Sequence, residues 1–175
     1  MYRDVVKVAK SIYRVMMAFP STRLAMLLGY LSGHMTKLIT DSMGYNGSDF
    51  CIRQDNGLTV GFLMYALTIT SYLDLRRRGL DVSALRYEDL VARPLDMCRV
   101  ILEFCHLPVS LAEKAVKAFD SDSQKNSLLA QSLIGNFKEP QLTAQRKVKL
   151  NELLKKFGME LSDEPVIIEG TLPSR

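Results

Sequence analysis

Cysteine and histidine are scarce in this 175-residue chain, which has three of the first and two of the second. Neither His34 nor His106 has a second histidine or a cysteine at metal-ligand spacing, so no zinc site is legible. His34 reads as a helix-surface or core residue and His106 as a helix-end residue before Leu107-Pro108. Cys98 and Cys105 share one face of an apparent helix, roughly 10 Å apart along its axis, which is beyond disulfide reach. Cys51 stands alone, and all three read as free thiols in apolar positions.

A strong charge excess is lacking too. Lys and Arg number 23 against 19 Asp and Glu, a net charge of +4. That excludes a dedicated nucleic-acid arm and admits an anionic ligand. Internal repeats and low-complexity segments are absent. With 47% hydrophobic and 24% charged residues, the composition excludes disorder, collagen-like repeats and coiled coil. No apolar leader follows Met1, because Tyr2-Arg3-Asp4 runs straight into an amphipathic pattern. The one membrane-like window, Gly57 to Leu73, is uncharged and barely reaches spanning length. It carries Thr59, Tyr65, Thr68 and Thr70, and reads as a largely buried core helix.

Helical punctuation dominates what is present. Asp4 caps a first helix that Pro20 ends, with Val5, Val8, Ala9, Ile12, Met16 and Phe19 as a buried stripe. A second helix is expected from about Thr22 to Leu38, then a loop over Asp41 to Asn56. The helix from Leu58 ends in Arg76-Arg77-Arg78 and Gly79, cations and a left-handed cap suited to its exposed carbonyls. Val82 to Tyr87 reads as a short strand. Pro94 opens a helix whose inner face holds Leu95, Cys98, Ile101, Leu102 and Cys105. Ser110 and Glu113 form a capping box for a helix reaching Phe119. Asp120 to Glu139 is polar and irregular. The last helix spans Thr143 to Phe157, with Leu150, Leu153, Leu154 and Phe157 inside, and residues 159–175 form a tail containing Val166-Ile167-Ile168.

One strand, or two counting the tail, is not a sheet. Parallel strands are normally buried between neighbours with helices on both faces, so partner strands upstream are one explanation and a mostly helical chain the other.

Two stretches carry chemistry. In Tyr2 to Arg14, Arg3 stands just before a helix start and Ser11 about two turns inside it. Arginine offers a planar fork of donors to phosphate oxygens, and a helix start adds free N–H groups. The second stretch is Leu85-Arg86-Tyr87-Glu88-Asp89-Leu90-Val91-Ala92-Arg93-Pro94. Taken singly, Arg3 is a surface residue, Ser11 a solvated position and Tyr87 a core tyrosine.

Together the two stretches resemble the sulfotransferase family, which uses 3′-phosphoadenosine 5′-phosphosulfate (PAPS) as sulfuryl donor. There, an arginine at a strand end and a serine eight residues later on the next helix bind the donor's 3′-phosphate. A Tyr-Glu-Asp-Leu/Met motif follows a later strand and precedes a proline-opened helix with a Leu-Glu-Phe-like core, here Leu102-Glu103-Phe104. The resemblance runs from Tyr2 to about Gly158 and implies donor-binding roles for Arg3, Ser11 and Tyr87, with no metal. It implies an α/β class, a partial P-loop-like three-layer fold that is predominantly helical here, with one or two short parallel strands.

The departures matter equally. No Gly-x-x-x-x-Gly-Lys-Ser/Thr run or related loop that would cradle the 5′-phosphosulfate is present, and no residue matches the family's catalytic base. Residues 1–175 therefore read as the C-terminal part of a sulfotransferase domain, inactive alone. In full-length form such a protein transfers a sulfuryl group to a hydroxyl or amine of a small-molecule or glycan acceptor. No nucleic-acid partner or membrane segment is expected, and an oligomer is compatible. Ser123, Gln124, Ser127 and Lys138 lie in a segment resembling the family's variable nucleotide-contacting loop. Two alternatives stay open: a non-catalytic nucleotide-binding remnant or partner subunit, and a small helical interaction module. Compartment is not readable, since relatives include cytoplasmic and Golgi enzymes.

Overall fold

The computed structural model describes residues 1–21, 24, 34–42, 44–46, 58–120, 138, 140–162 and 164–173. Among these the helices are α1 (Val5–Ala18), α2 (His34–Ser42), α3 (Leu58–Arg77), α4 (Tyr87–Ala92), α5 (Pro94–Phe104), α6 (Ala112–Lys117) and α7 (Ala144–Lys155). The described chain is predominantly helical. Its β structure is two isolated parallel bridges, Tyr2 with Arg86 and Ala84 with Thr171.

The core lies between α1, α3 and α7. Asp4 begins α1 by accepting a hydrogen bond from the Lys7 N–H at 2.9 Å, which satisfies one of the free donors of the first turn. Val5 and Ala9 then pack with Leu58, Phe62, Leu63, Ala66 and Leu67 of α3 and Leu150, Leu153 and Leu154 of α7. The stripe expected along α1 is only partly buried. Val8, Ile12, Met16 and Phe19 are half-exposed, whereas Val5 and Ala9 enter the core with Val6 and Tyr13 packed against it. α3 is long and apolar enough to cross a membrane by length and composition, and half of that apolar window is buried inside the fold.

A smaller cluster of Tyr2, Ile69 and Ala84, packed by Tyr65, Tyr72, Met159 and Ile168, joins the bridges to α3. Two side chains near the end of α3 hold the tail and the connection after α3. The Tyr72 hydroxyl donates to the Glu169 carbonyl at 2.9 Å, and Arg76 Nη1 donates to the Val82 carbonyl at 2.6 Å. Of the apolar tail run, Val166 and Ile167 are exposed and Ile168 packs inward.

Several boundaries differ from the sequence reading. Tyr87 opens α4 instead of ending a strand, because its N–H bonds back to the Tyr2 carbonyl and the chain turns there. The capping box does not form. Ser110 sits in a tight turn, Val109–Leu111, and α6 starts from Leu111 with no side-chain cap. The inner face of α5 is Met97, Cys98 and Val100. Cys105 is exposed at its C-terminal end, since the helix stops there before its face can be covered. His106 follows with φ 55°, the left-handed position that glycine usually fills. α2 runs to Ser42, so the expected loop begins later. Apart from Leu24, which is helical, the expected second helix before residue 34 lies outside the described residues, as do the segment holding Ser123, Gln124 and Ser127 and Cys51.

Candidate anion-binding site

The Tyr2–Arg86 bridge sets the site. Tyr2 N–H donates to the Leu85 carbonyl at 2.8 Å, and the Tyr87 N–H donates to the Tyr2 carbonyl at 2.8 Å. This fixes the residue after Tyr2 beside the first turn of α4. Arg3 consequently lies over Tyr87, its guanidinium carbon 4.7 Å from the ring centroid. That distance is within cation–π range.

Arg3, Ser11 and Tyr87 line one groove of about 430 Å³, with Ile12, Met64 and Thr68 among its other walls. α1 brings Ser11 round to the side of Arg3. The Thr68 hydroxyl is committed to its own helix, donating to the Met64 carbonyl at 2.8 Å. Lys138, the one described member of the variable-loop set, is exposed and does not line this groove.

A second concavity of about 710 Å³ adjoins it, sharing Tyr2, Arg3, Tyr65 and Ile69. Its charged wall includes Lys7, Arg86 and Glu88. Glu88 is central there. Its Oε1 lies 3.8 Å from both Arg3 Nε and Lys7 Nζ, and its Oε2 lies 3.8 Å from Arg86 Nε. Oε1 also accepts from the Asp4 N–H at 3.3 Å. The ion contacts are too long for hydrogen bonds, and partly exposed pairs of this kind contribute little to stability.

Tyr65 stands between the two concavities. Burial first, then the charges of Tyr2, Asp4 and Glu88, push its hydroxyl up to about 12. The shift keeps the hydroxyl neutral well into the alkaline range. The sequence reading placed Tyr65 only among the polar residues of an apolar helix, and gave Glu88 no role. Glu88 had a signal, its place between Tyr87 and Asp89 in the motif; Tyr65 had none, because its neighbours come from distant segments.

Chemically, the first groove offers a guanidinium fork, a hydroxyl and an aromatic face over an apolar floor. That combination suits an anion attached to a planar group. Among the described residues no three His, Cys, Asp or Glu side chains gather as a metal site would require. No protein-family model, curated protein or solved structure matches this chain.

Proposed function

We propose that the chain is a sulfotransferase-family protein of P-loop-like fold whose Arg3, Ser11 and Tyr87 grip the 3′-phosphate end of an adenosine 3′-phosphate nucleotide, PAPS being the donor. One observation carries the reading: these three residues, picked out by two separate motifs, line one groove with Arg3 stacked on Tyr87. Arg3 supplies charge-assisted hydrogen bonds, Ser11 a neutral donor and Tyr87 a flat apolar surface. The parallel pairing of the segments before α1 and before α4 also agrees with an α/β arrangement. No catalytic residue is assigned within this chain, so its part is donor binding; the acceptor would be a small-molecule or glycan hydroxyl or amine.

Isothermal titration with adenosine 3′,5′-bisphosphate tests this, with adenosine 5′-monophosphate as the control lacking the 3′-phosphate. Binding is expected for the bisphosphate, with a loss of about tenfold or more in Arg3→Ala, the size of a hydrogen bond to a charged group. Equal affinity for the two nucleotides, or for wild type and Arg3→Ala, overturns the reading.

A further inference from the structure

We infer that Glu88 is a positioning residue that sets the orientation of the Arg3 guanidinium; this rests on the phosphate reading above. Tyr87 and Glu88 are consecutive, and together they constrain Arg3 in two directions. The Tyr87 ring meets the face of the guanidinium, and the Glu88 carboxylate meets its Nε edge at 3.8 Å. A planar group contacted on both face and edge has fewer orientations open to it than one surrounded by water. Among the described residues the guanidinium meets Tyr87 through its face and Glu88 through Nε, which leaves its two terminal amino groups for a ligand.

Glu88 is itself held in place. Its Oε1 accepts the Asp4 N–H, and Lys7 and Arg86 lie 3.8 Å away on either side. Arg3 Nε and Glu88 Oε2 are both shielded from solvent without a hydrogen bond among the described residues, so Arg3 Nε faces the Glu88 carboxylate and Glu88 Oε2 faces Arg86 Nε. The carboxylate is thus tied to the start of α1, the helix that also carries Ser11.

Charge alone makes the opposite forecast. A carboxylate beside the anion grip lowers the local positive potential, so its neutralisation should strengthen anion binding. Positioning requires that the same change weaken it. The sign of the effect separates the two.

The test is titration of the full chain with adenosine 3′,5′-bisphosphate in wild type, Glu88→Gln, Glu88→Asp, Arg3→Ala and the Arg3→Ala/Glu88→Gln double variant. Glu88→Gln is expected to weaken binding about three- to tenfold, the usual size of coupling between contacting residues. Glu88→Asp keeps the charge but shortens the reach, and is expected to weaken binding as well. In the Arg3→Ala background Glu88→Gln should produce no further loss. The Arg3 Nε–H signal in a proton–nitrogen spectrum should shift and broaden in Glu88→Gln while the backbone amides of α3 stay in place. Unchanged or tighter binding in Glu88→Gln, or wild-type affinity in Glu88→Asp, overturns this inference while Arg3→Ala still weakens binding. If Arg3→Ala leaves binding unchanged, the phosphate reading itself falls. Should Glu88→Gln fail to fold, Glu88→Asp decides, through its affinity and through the Arg3 Nε–H signal read in that variant.

Discussion

The Arg3 guanidinium rests on the Tyr87 ring, 4.7 Å from its centroid, although the two residues lie on segments separated by α1, α2 and α3. The Tyr2–Arg86 bridge brings them together, with the Asp4 N–H bond to Glu88 beside it. The contact needs an aromatic face but not a hydroxyl. Tyr87→Phe is therefore expected to keep bisphosphate affinity within about twofold, whereas Tyr87→Ala should lose about fivefold, the size of a partly exposed cation–π contact. Titration of both variants checks this. Equal losses in the two would assign the effect to the hydroxyl.

α1 and α3 cross where Gly61 meets Ala9. A Cβ on Gly61 would fall 2.6 Å from the Ala9 Cα and 2.9 Å from its carbonyl oxygen. Those are backbone atoms and cannot step aside as a side-chain tip could. Alanine gains about 1 kcal/mol of helix propensity over glycine, but overpacking typically costs about 1–3 kcal/mol. Because the clash is with backbone, the cost falls at the upper end of that range, and a net loss of about 2 kcal/mol is expected for Gly61→Ala, read as a lower urea midpoint with an unchanged slope. A variant as stable as wild type would show that the two helices can separate freely.

Much of the helical framework was legible because its signals are local. Asp4 capping α1, the arginines and Gly79 at the end of α3, Pro94 opening α5 and the Leu150, Leu153 and Leu154 face of α7 all appear where their chemistry placed them. What failed depended on distant partners. The outer stripe of α1 looks buried by period alone, yet nothing in its spacing reports how far α3 extends over it. Likewise, Ser110 and Glu113 have capping-box spacing, but the turn after Pro108 places Ser110 in a helical conformation that a cap cannot use. Arg3, Ser11 and Tyr87 could be named from motifs, whereas the Glu88 contacts and the burial of Tyr65 depend on pairings that no local pattern encodes.

The two described cysteines should react differently. Cys98 is 5% exposed on the inner face of α5, and burial pushes its thiol pKa up, so little reactive thiolate forms. Cys105 is exposed at the C-terminal end of the same helix. With a disulfide reagent under native conditions, Cys105→Ser is expected to remove a fast phase, while Cys98→Ser should remove only reactivity that appears on unfolding. Fast native modification of Cys98 would contradict its placement.

Tyr65 gives the fold a stability loss at alkaline pH with a definite sign. Its pKa rises from 10.0 to about 12 on folding, so the native state holds the phenolic proton more tightly than the unfolded chain does. Below pH 10 both states keep that proton, and this contribution to stability is fully present. Between pH 10 and 12 the unfolded chain releases the proton while the native state retains it, and the unfolding free energy falls as pH rises. Tyr65→Phe keeps the ring and removes the titration, so its urea midpoint should decline less steeply across pH 10 than that of wild type. The phenolate absorbance of the folded protein should likewise show one tyrosine fewer ionising near pH 12 in the variant. Parallel midpoint curves for the two proteins would mean that Tyr65 ionises as an ordinary exposed tyrosine does, and that the wall between the two concavities is open to water.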